Sequence, residues 1–201
     1  MKLMSWYYKP VLQRNDANRG GSSMEYTAKL RRELPDFFKK HNICSVFDAG
    51  CNDCSWMSTI IDNLDYHGGD VSIDMVTDLQ SRRPDLKVFH HDVTTDPLPL
   101  VDLLFIKEVI ILEVTIHLNN ADKKKVIQNW LSSGITWLMV THDENENNLD
   151  YEYTAGFPFA QVNWEKDPWC FPKPTDVVYE GSRAGRCMAL WHKDQLCQWL
   201  V

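Results

Sequence analysis

Between Ile43 and Thr141 the chain alternates short apolar runs with stretches whose apolar residues recur every three or four positions. No other pattern in it restricts the fold so tightly. The runs are Ile43–Asp48, Tyr66–Ile73, Leu86–His90, a segment within Leu100–Leu112, and Thr136–Thr141. They are short, β-branched and aromatic, and read as strands. Helical spacing appears at Tyr26, Leu30, Leu34, Phe37 and Phe38 within Met24–His41, where Pro35 marks a kink. It returns at Trp56, Ile60 and Ile61 within Ser55–Leu64, near Met75–Arg82, and at Val126, Ile127, Trp130 and Leu131 within a helix opened by Asn119. Strands alternating with helices at this pitch imply an α/β fold: an open, mostly parallel sheet with helices on both faces. Residues 1–23 read as an irregular lead-in ending in a flexible Gly20-Gly21-Ser22-Ser23 turn, and residues 24–201 as a single domain.

Past Thr141 the character changes. His142 to Tyr151 is polar and loop-like, and Gly156, Pro158, Pro168, Pro172 and Pro174 exclude regular helix from the next stretch. Five of the eight tryptophans follow residue 136, and the last third of the chain reads as carrying an elaborated, aromatic-rich region at about 142–180. It either covers a ligand or packs onto the sheet as a satellite cluster. A strand at Met188–Trp191 and a short helix at Lys193–Leu200 close the chain.

The net charge of −7 disfavours a sequence-independent hold on nucleic acid. Arg31-Arg32, Lys123-Lys124-Lys125 and Arg183/Arg186 read as solvated faces. No apolar run is long enough to span a membrane, and MKLMSWYYKP has no secretory core, so a cytoplasmic protein with free thiols is expected.

In an open parallel sheet, ligands sit outside the carboxyl ends of the strands. That edge carries Asp48–Asp53, Asp70–Asp74, His91–Asp92, Glu108–Glu113 and Thr141–Asn148. Acids along it suit a ligand that brings hydroxyls, an amine and a positive charge, and suit phosphate poorly. Asp70 follows Asp48 by the roughly 20-residue offset of a ribose-binding carboxylate, with a capping role as the plainer reading. A nicotinamide dehydrogenase would need glycine at 52 and 55, where Asn52 and Ser55 stand. Asn52 tolerates the left-handed conformation that glycine would supply. Cys51-x-x-Cys54 lacks a partner pair at zinc spacing and reads as packing thiols. His90 and His91, adjacent in a strand, point to opposite faces, so no metal site is expected.

These segments, in this order, resemble the class I S-adenosylmethionine-dependent methyltransferases, and within them a compact group common in bacteria and phages. The resemblance is carried by RGGSS, SVFDAGCND-SW, YHGGDVS, VFHHDVTTDPLP, DLLFIKEVIILE, IHLNNADKKKVIQNW, LMVTHDENENN and GFPFAQVNWEKDPWCFP. It implies a Rossmann-like sheet and S-adenosylmethionine as cofactor. Asp48, Gly50, Cys51 and Asn52 would form the loop under the methionine end. Asp70 would hold the ribose, and Asp92, with His91, would meet the adenine amine. Glu108 or Glu113 matches the acid after the fourth strand, and His117 the histidine beyond it. Asn147 or Asn148, Gly156, Asn163, Pro168 and Pro172 match the substrate side. Glu113, His117 and His142 are the candidates for a base, should the acceptor have to lose a proton. The implied reaction is methyl transfer to a small molecule, sugar or nucleotide. The alternatives are a nucleic-acid methyltransferase and a non-catalytic module that keeps the fold.

Overall fold

A computed structural model describes residues 22–107, 118–149 and 161–200. The described residues form one seven-stranded sheet. Its strands are β1 (Ser45–Ala49), β2 (Asp65–Asp70), β3 (Lys87–His90), β4 (Leu103–Ile106), β5 (Trp137–Asp143), β6 (Asp176–Tyr179) and β7 (Arg186–His192). They lie in the order β3-β2-β1-β4-β5-β7-β6. Every pairing is parallel except those of β7, which runs antiparallel to both β5 and β6. The α/β expectation therefore holds, with one antiparallel strand inserted near the edge.

Helices α1 (Ala28–Lys40), α2 (Ile73–Arg82) and α3 (Asn120–Ser132) cover the two faces. Side chains alternate along each strand, so successive residues feed different cores. Val46, Leu103, Phe105, Met139, Met188 and Leu190 pack against Leu30, Leu34, Phe37 and Phe38 of α1 and Leu79 of α2. Phe47, Ala49, Leu104, Ile106, Leu138, Val140 and Trp191 pack against Val126, Ile127, Trp130 and Leu131 of α3. Pro35 sits inside α1 without dividing it.

The structure differs in detail from the sequence reading in four places. The helical spacing of Ser55–Leu64 yields only a 3-10 turn, Met57–Thr59, in which the N–H groups of Thr59 and Ile60 donate three residues back, to the carbonyls of Trp56 and Met57 at 3.1 and 3.0 Å. The second strand ends at Asp70, and Ile73 opens α2 under the Ser72 cap, whose hydroxyl accepts from the Met75 N–H. Lys193–Leu200 is a 3-10 helix. Strand β6 was not anticipated: its DVVY offers too short an apolar run, and α1 holds it in place. Lys40 and His41, at the end of α1, meet the Asp176 carboxylate at 2.6 and 2.8 Å.

Candidate cofactor site

The chain runs outward from β1 through β2 to β3, then crosses back to β4 on the other side of β1. The crevice this reversal opens lies at the carboxyl ends of β1 and β4, where ligands bind in such sheets. The Gly50–Cys54 loop follows β1 at this edge. Gly50, Asn52 and Cys54 have φ of 85°, 50° and 55°, all left-handed. Asn52 thus takes the backbone shape that glycine would give. Asn52→Gly is expected to keep stability within about 1 kcal/mol of wild type, whereas β-branched Asn52→Val costs on the order of 1–2 kcal/mol. Urea unfolding checks this, and equal stability of the two variants would show that the left-handed turn imposes no constraint.

The loop is hooked onto β2. The N–H groups of Gly50 and Cys51 donate to the Gly69 carbonyl at 2.7 and 3.1 Å. The Asn52 N–H donates to Asp70 Oδ2 at 3.2 Å, while Asp70 Oδ1 accepts from the Ser72 N–H at 2.9 Å. Close approach requires the two glycines of β2. A Cβ at Gly69 would lie 2.6 Å from the Phe47 ring, and one at Gly68 would lie 3.0 Å from Cys51 Sγ. Burial raises the Asp70 pKa against the pull of these backbone donors. Each of its oxygens keeps acceptor capacity beyond one N–H, which leaves room for two hydroxyls.

Beneath the loop, Asp48 is 5% exposed on the central strand, and burial pushes its pKa up to about 7. Its Oδ2 accepts from the Tyr66 hydroxyl at 2.9 Å. That hydroxyl has one proton, so at 3.1 Å its oxygen accepts from the Cys54 thiol. The neighbouring Cys54 thiol, and then burial, push the Cys51 thiol pKa up and hold it in its neutral form. The two cysteines are free, and no group able to hold a metal occurs among the described residues.

At the end of β3, the Nε2 of His91 lies 3.2 Å from the Pro97 carbonyl. A carbonyl only accepts, so Nε2 carries a proton, and in the neutral ring Nδ1 is then the acceptor. It is buried and lacks a partner among the described residues. Asp92 Oδ1 accepts from the N–H and hydroxyl of Thr94, at 3.0 and 2.6 Å. Part of this acid is therefore committed to its own turn.

Glu108, Glu113 and His117 lie outside the described residues. His142 lies inside β5 rather than after it, and is almost fully buried. Its Nδ1 accepts from the Trp164 N–H at 3.2 Å, so the proton sits on Nε2, 3.4 Å from Glu165 Oε1. Burial lowers its pKa. On the substrate side, Asn148 and Asn163 lace two loops together. Asn148 Nδ2 donates to the carbonyls of Asn163 and Asp167 at 2.7 Å each, and its Oδ1 accepts from the Asn163 N–H at 2.8 Å. Trp164, Trp169 and Phe171 are buried in the same core as β5 and β7, which favours the packing reading of this aromatic stretch over a ligand cover.

Two residues missed in the sequence, Lys107 and Glu180, complete the edge together with Arg186, which, like Lys123, was read as solvated but is buried. Lys107, just past β4, lies with its Nζ 3.6 Å from Glu180 Oε1, and Arg186 Nε donates to Glu180 Oε2 at 3.0 Å. All three are buried. A charged residue directly following an apolar strand was the one available signal, and only for Lys107 and Glu180.

No protein-family model matches the chain. No curated protein matches it. Solved structures do. The magnesium protoporphyrin IX methyltransferase of Synechocystis PCC 6803 with bound SAM aligns at TM-score 0.62 and 12% identity, covering 95% of each chain. The mitomycin 7-O-methyltransferase MmcR aligns at TM-score 0.59 and 13% identity, over 92% of this chain and 60% of that one. The PH0226 protein of Pyrococcus horikoshii OT3 aligns at TM-score 0.50 and 13% identity, over 97% of this chain and 87% of that one. The fold is that of the class I S-adenosylmethionine-dependent methyltransferases.

Proposed function

We propose that the protein is an S-adenosylmethionine-dependent methyltransferase acting on a small polar acceptor such as a sugar or nucleotide. One observation carries the reading: the left-handed Gly50–Asn52–Cys54 loop lies at the switch point and is tied to the Asp70 carboxylate. The donor set fits the cofactor. Asp48 and Asp70 are buried carboxyl groups with acceptor capacity left over, and His91 Nδ1 is a buried acceptor awaiting a donor such as an adenine amine.

In this reading Gly50, Cys51 and Asn52 run under the methionine end, Asp70 holds the ribose hydroxyls, and His91 with Asp92 meets the adenine. Glu108 or Glu113 contributes the acid after β4. The cofactor, when bound, supplies a methyl group already activated on sulfonium. The protein's task is then chiefly to orient the acceptor in line with it. If the acceptor must lose a proton, Glu113 or His117 takes it. His142, with Nδ1 committed to Trp164 and Nε2 protonated, positions the substrate-side loop. A nucleic-acid acceptor is disfavoured by the charge of −7.

Calorimetric titration with S-adenosylmethionine tests the reading, and absence of binding at millimolar ligand favours the non-catalytic module instead. Asp70→Ala is expected to weaken binding at least about tenfold, since two charge-assisted bonds are lost. It also removes the acceptors of two backbone N–H groups, so the free protein should lose about 2 kcal/mol as well. Asp70→Asn, which keeps one acceptor oxygen, should show the affinity loss with less of the stability loss. Unchanged affinity in both variants would remove the ribose assignment. Turnover of an acceptor panel, read as S-adenosylhomocysteine, then identifies the substrate.

A further inference from the structure

We infer that Asp48 is a proton-linked anchor for the cationic end of the cofactor: it releases a proton when S-adenosylmethionine binds and takes one back once the methyl group has been transferred. This rests on the methyltransferase reading above. It adds to that reading a charge exchange between the loop and its ligand.

The geometry starts from where Asp48 sits. On the central strand it pairs with Gly68 of β2 and Phe105 of β4, so protein flanks it on both sides. Its side chain shares a sheet face with Val46, above the α1 core. Oδ2 has the Tyr66 hydroxyl, and Oδ1 has no hydrogen-bond partner among the described residues. Five titratable groups face it. Tyr66 and Asp70 come from β2, Lys107 from the end of β4, and Cys51 and Cys54 from its own loop. Tyr66 donates to it, and Asp70 repels its charge. Both thiols are buried and lend it no charge while neutral.

Lys107 is the one cation among them. It lies two residues beyond Phe105, on the same face as Asp48, with Glu180 3.6 Å from its Nζ. Its charge is thus shared with a second carboxylate. A buried carboxyl with one donor, a neighbouring acid and half a cation holds its proton near neutrality. A ligand that brings a net positive charge to the loop changes that balance, because an opposite charge within a few ångströms favours the ionised form.

S-adenosylmethionine carries sulfonium, ammonium and carboxylate, a net charge of plus one, and S-adenosylhomocysteine carries none net. On binding, the protonated carboxyl becomes carboxylate and one proton goes to solvent. After transfer the sulfonium charge is gone, and the carboxylate recovers a proton. Cofactor and product thereby differ by one unit of charge brought to Asp48.

Calorimetry in buffers of differing ionisation enthalpy counts the protons released. Wild type with S-adenosylmethionine should release a sizeable fraction of a proton near pH 7, and less with S-adenosylhomocysteine. Asp48→Asn, whose amide oxygen still accepts from Tyr66, should release none. The ligand's own ammonium titrates nearby, so the difference between the two proteins is the readout. Between pH 6 and 7 the wild-type Kd should fall by up to about tenfold relative to Asp48→Asn, the ceiling for one linked proton. Tyr66→Phe removes the donor that favours the carboxylate, so its release maximum should move to higher pH. The inference is overturned if wild type binds S-adenosylmethionine at pH 7 without proton release, or if Asp48→Asn releases as many protons. Failure of wild type to bind either ligand is a separate result, and it removes the methyltransferase reading together with this one.

Discussion

Glu180→Ala is expected to destabilise the free protein by about 3–5 kcal/mol, the range for removing one partner of a buried ion pair. For a chain of this size that lowers Tm by roughly 6–20 °C. The side chains of Lys107 and Glu180 are each 3% exposed, and that of Arg186 is 8%. Water therefore has little access to replace the carboxylate. Glu180→Gln keeps an oxygen for Arg186 Nε but loses the charge, and should fall between wild type and the alanine variant. Replacing Lys107, Glu180 and Arg186 together by Met, Met and Leu should recover most of the loss, since none of the three charges is then left buried without the other two. Recovery would mean that the three charges serve the ligand edge rather than the fold. Thermal and urea unfolding decide the matter. A loss below about 1 kcal/mol in Glu180→Ala would show that the three residues are not energetically coupled.

That row was illegible in the sequence for a plain reason. Lys107, Glu180 and Arg186 come from β4, β6 and β7, and only the β4-β5-β7-β6 order brings them together. Periodicity reports which residues share one element's face, not which strands become neighbours. Asp48 and Tyr66 are 18 residues apart, and their bond depends on the β1–β2 register. Strands β4, β5 and β7 were legible, because each is buried on both faces and so reads as a nearly continuous apolar run. β6 was not, being an edge strand with a half-buried face.

The loop shows the division most clearly. Asn52 could be read as a left-handed residue from its chemistry alone, and its φ of 50° agrees. The left-handed Cys54 that follows could not, since nothing in a cysteine side chain asks for φ of 55°. Its conformation goes with the Cys51 carbonyl, which accepts its N–H at 3.1 Å, and the Tyr66 oxygen, which accepts its thiol. His142 was expected just past its strand. Inside β5 it became a buried neutral ring holding Trp164, and its chemistry changed with its burial.

Asp48→Asn is expected to be the more stable protein at pH 8, by on the order of 2–4 kcal/mol, with the gap closing as pH falls toward 4. The wild-type carboxyl titrates near 3.8 when unfolded and about 7 when folded. Between those values the folded state binds a proton that the unfolded state has lost, so stability falls as pH rises through this window. Below it both states are protonated and no penalty exists; above it both are ionised and the full penalty stands. About three pKa units correspond to about 4 kcal/mol as an upper limit. Asparagine carries no charge at any of these pH values and keeps the Tyr66 bond. His142 acts in the opposite sense: burial lowers its pKa, so its contribution is lost as pH falls below 6.5. Because His142 is present in both proteins, the difference between them isolates Asp48. Urea unfolding of the pair at pH 5 and pH 8 measures it, and a gap that does not widen with pH would place the Asp48 carboxyl in the ordinary range. That result would also leave no proton on Asp48 for an arriving cation to displace.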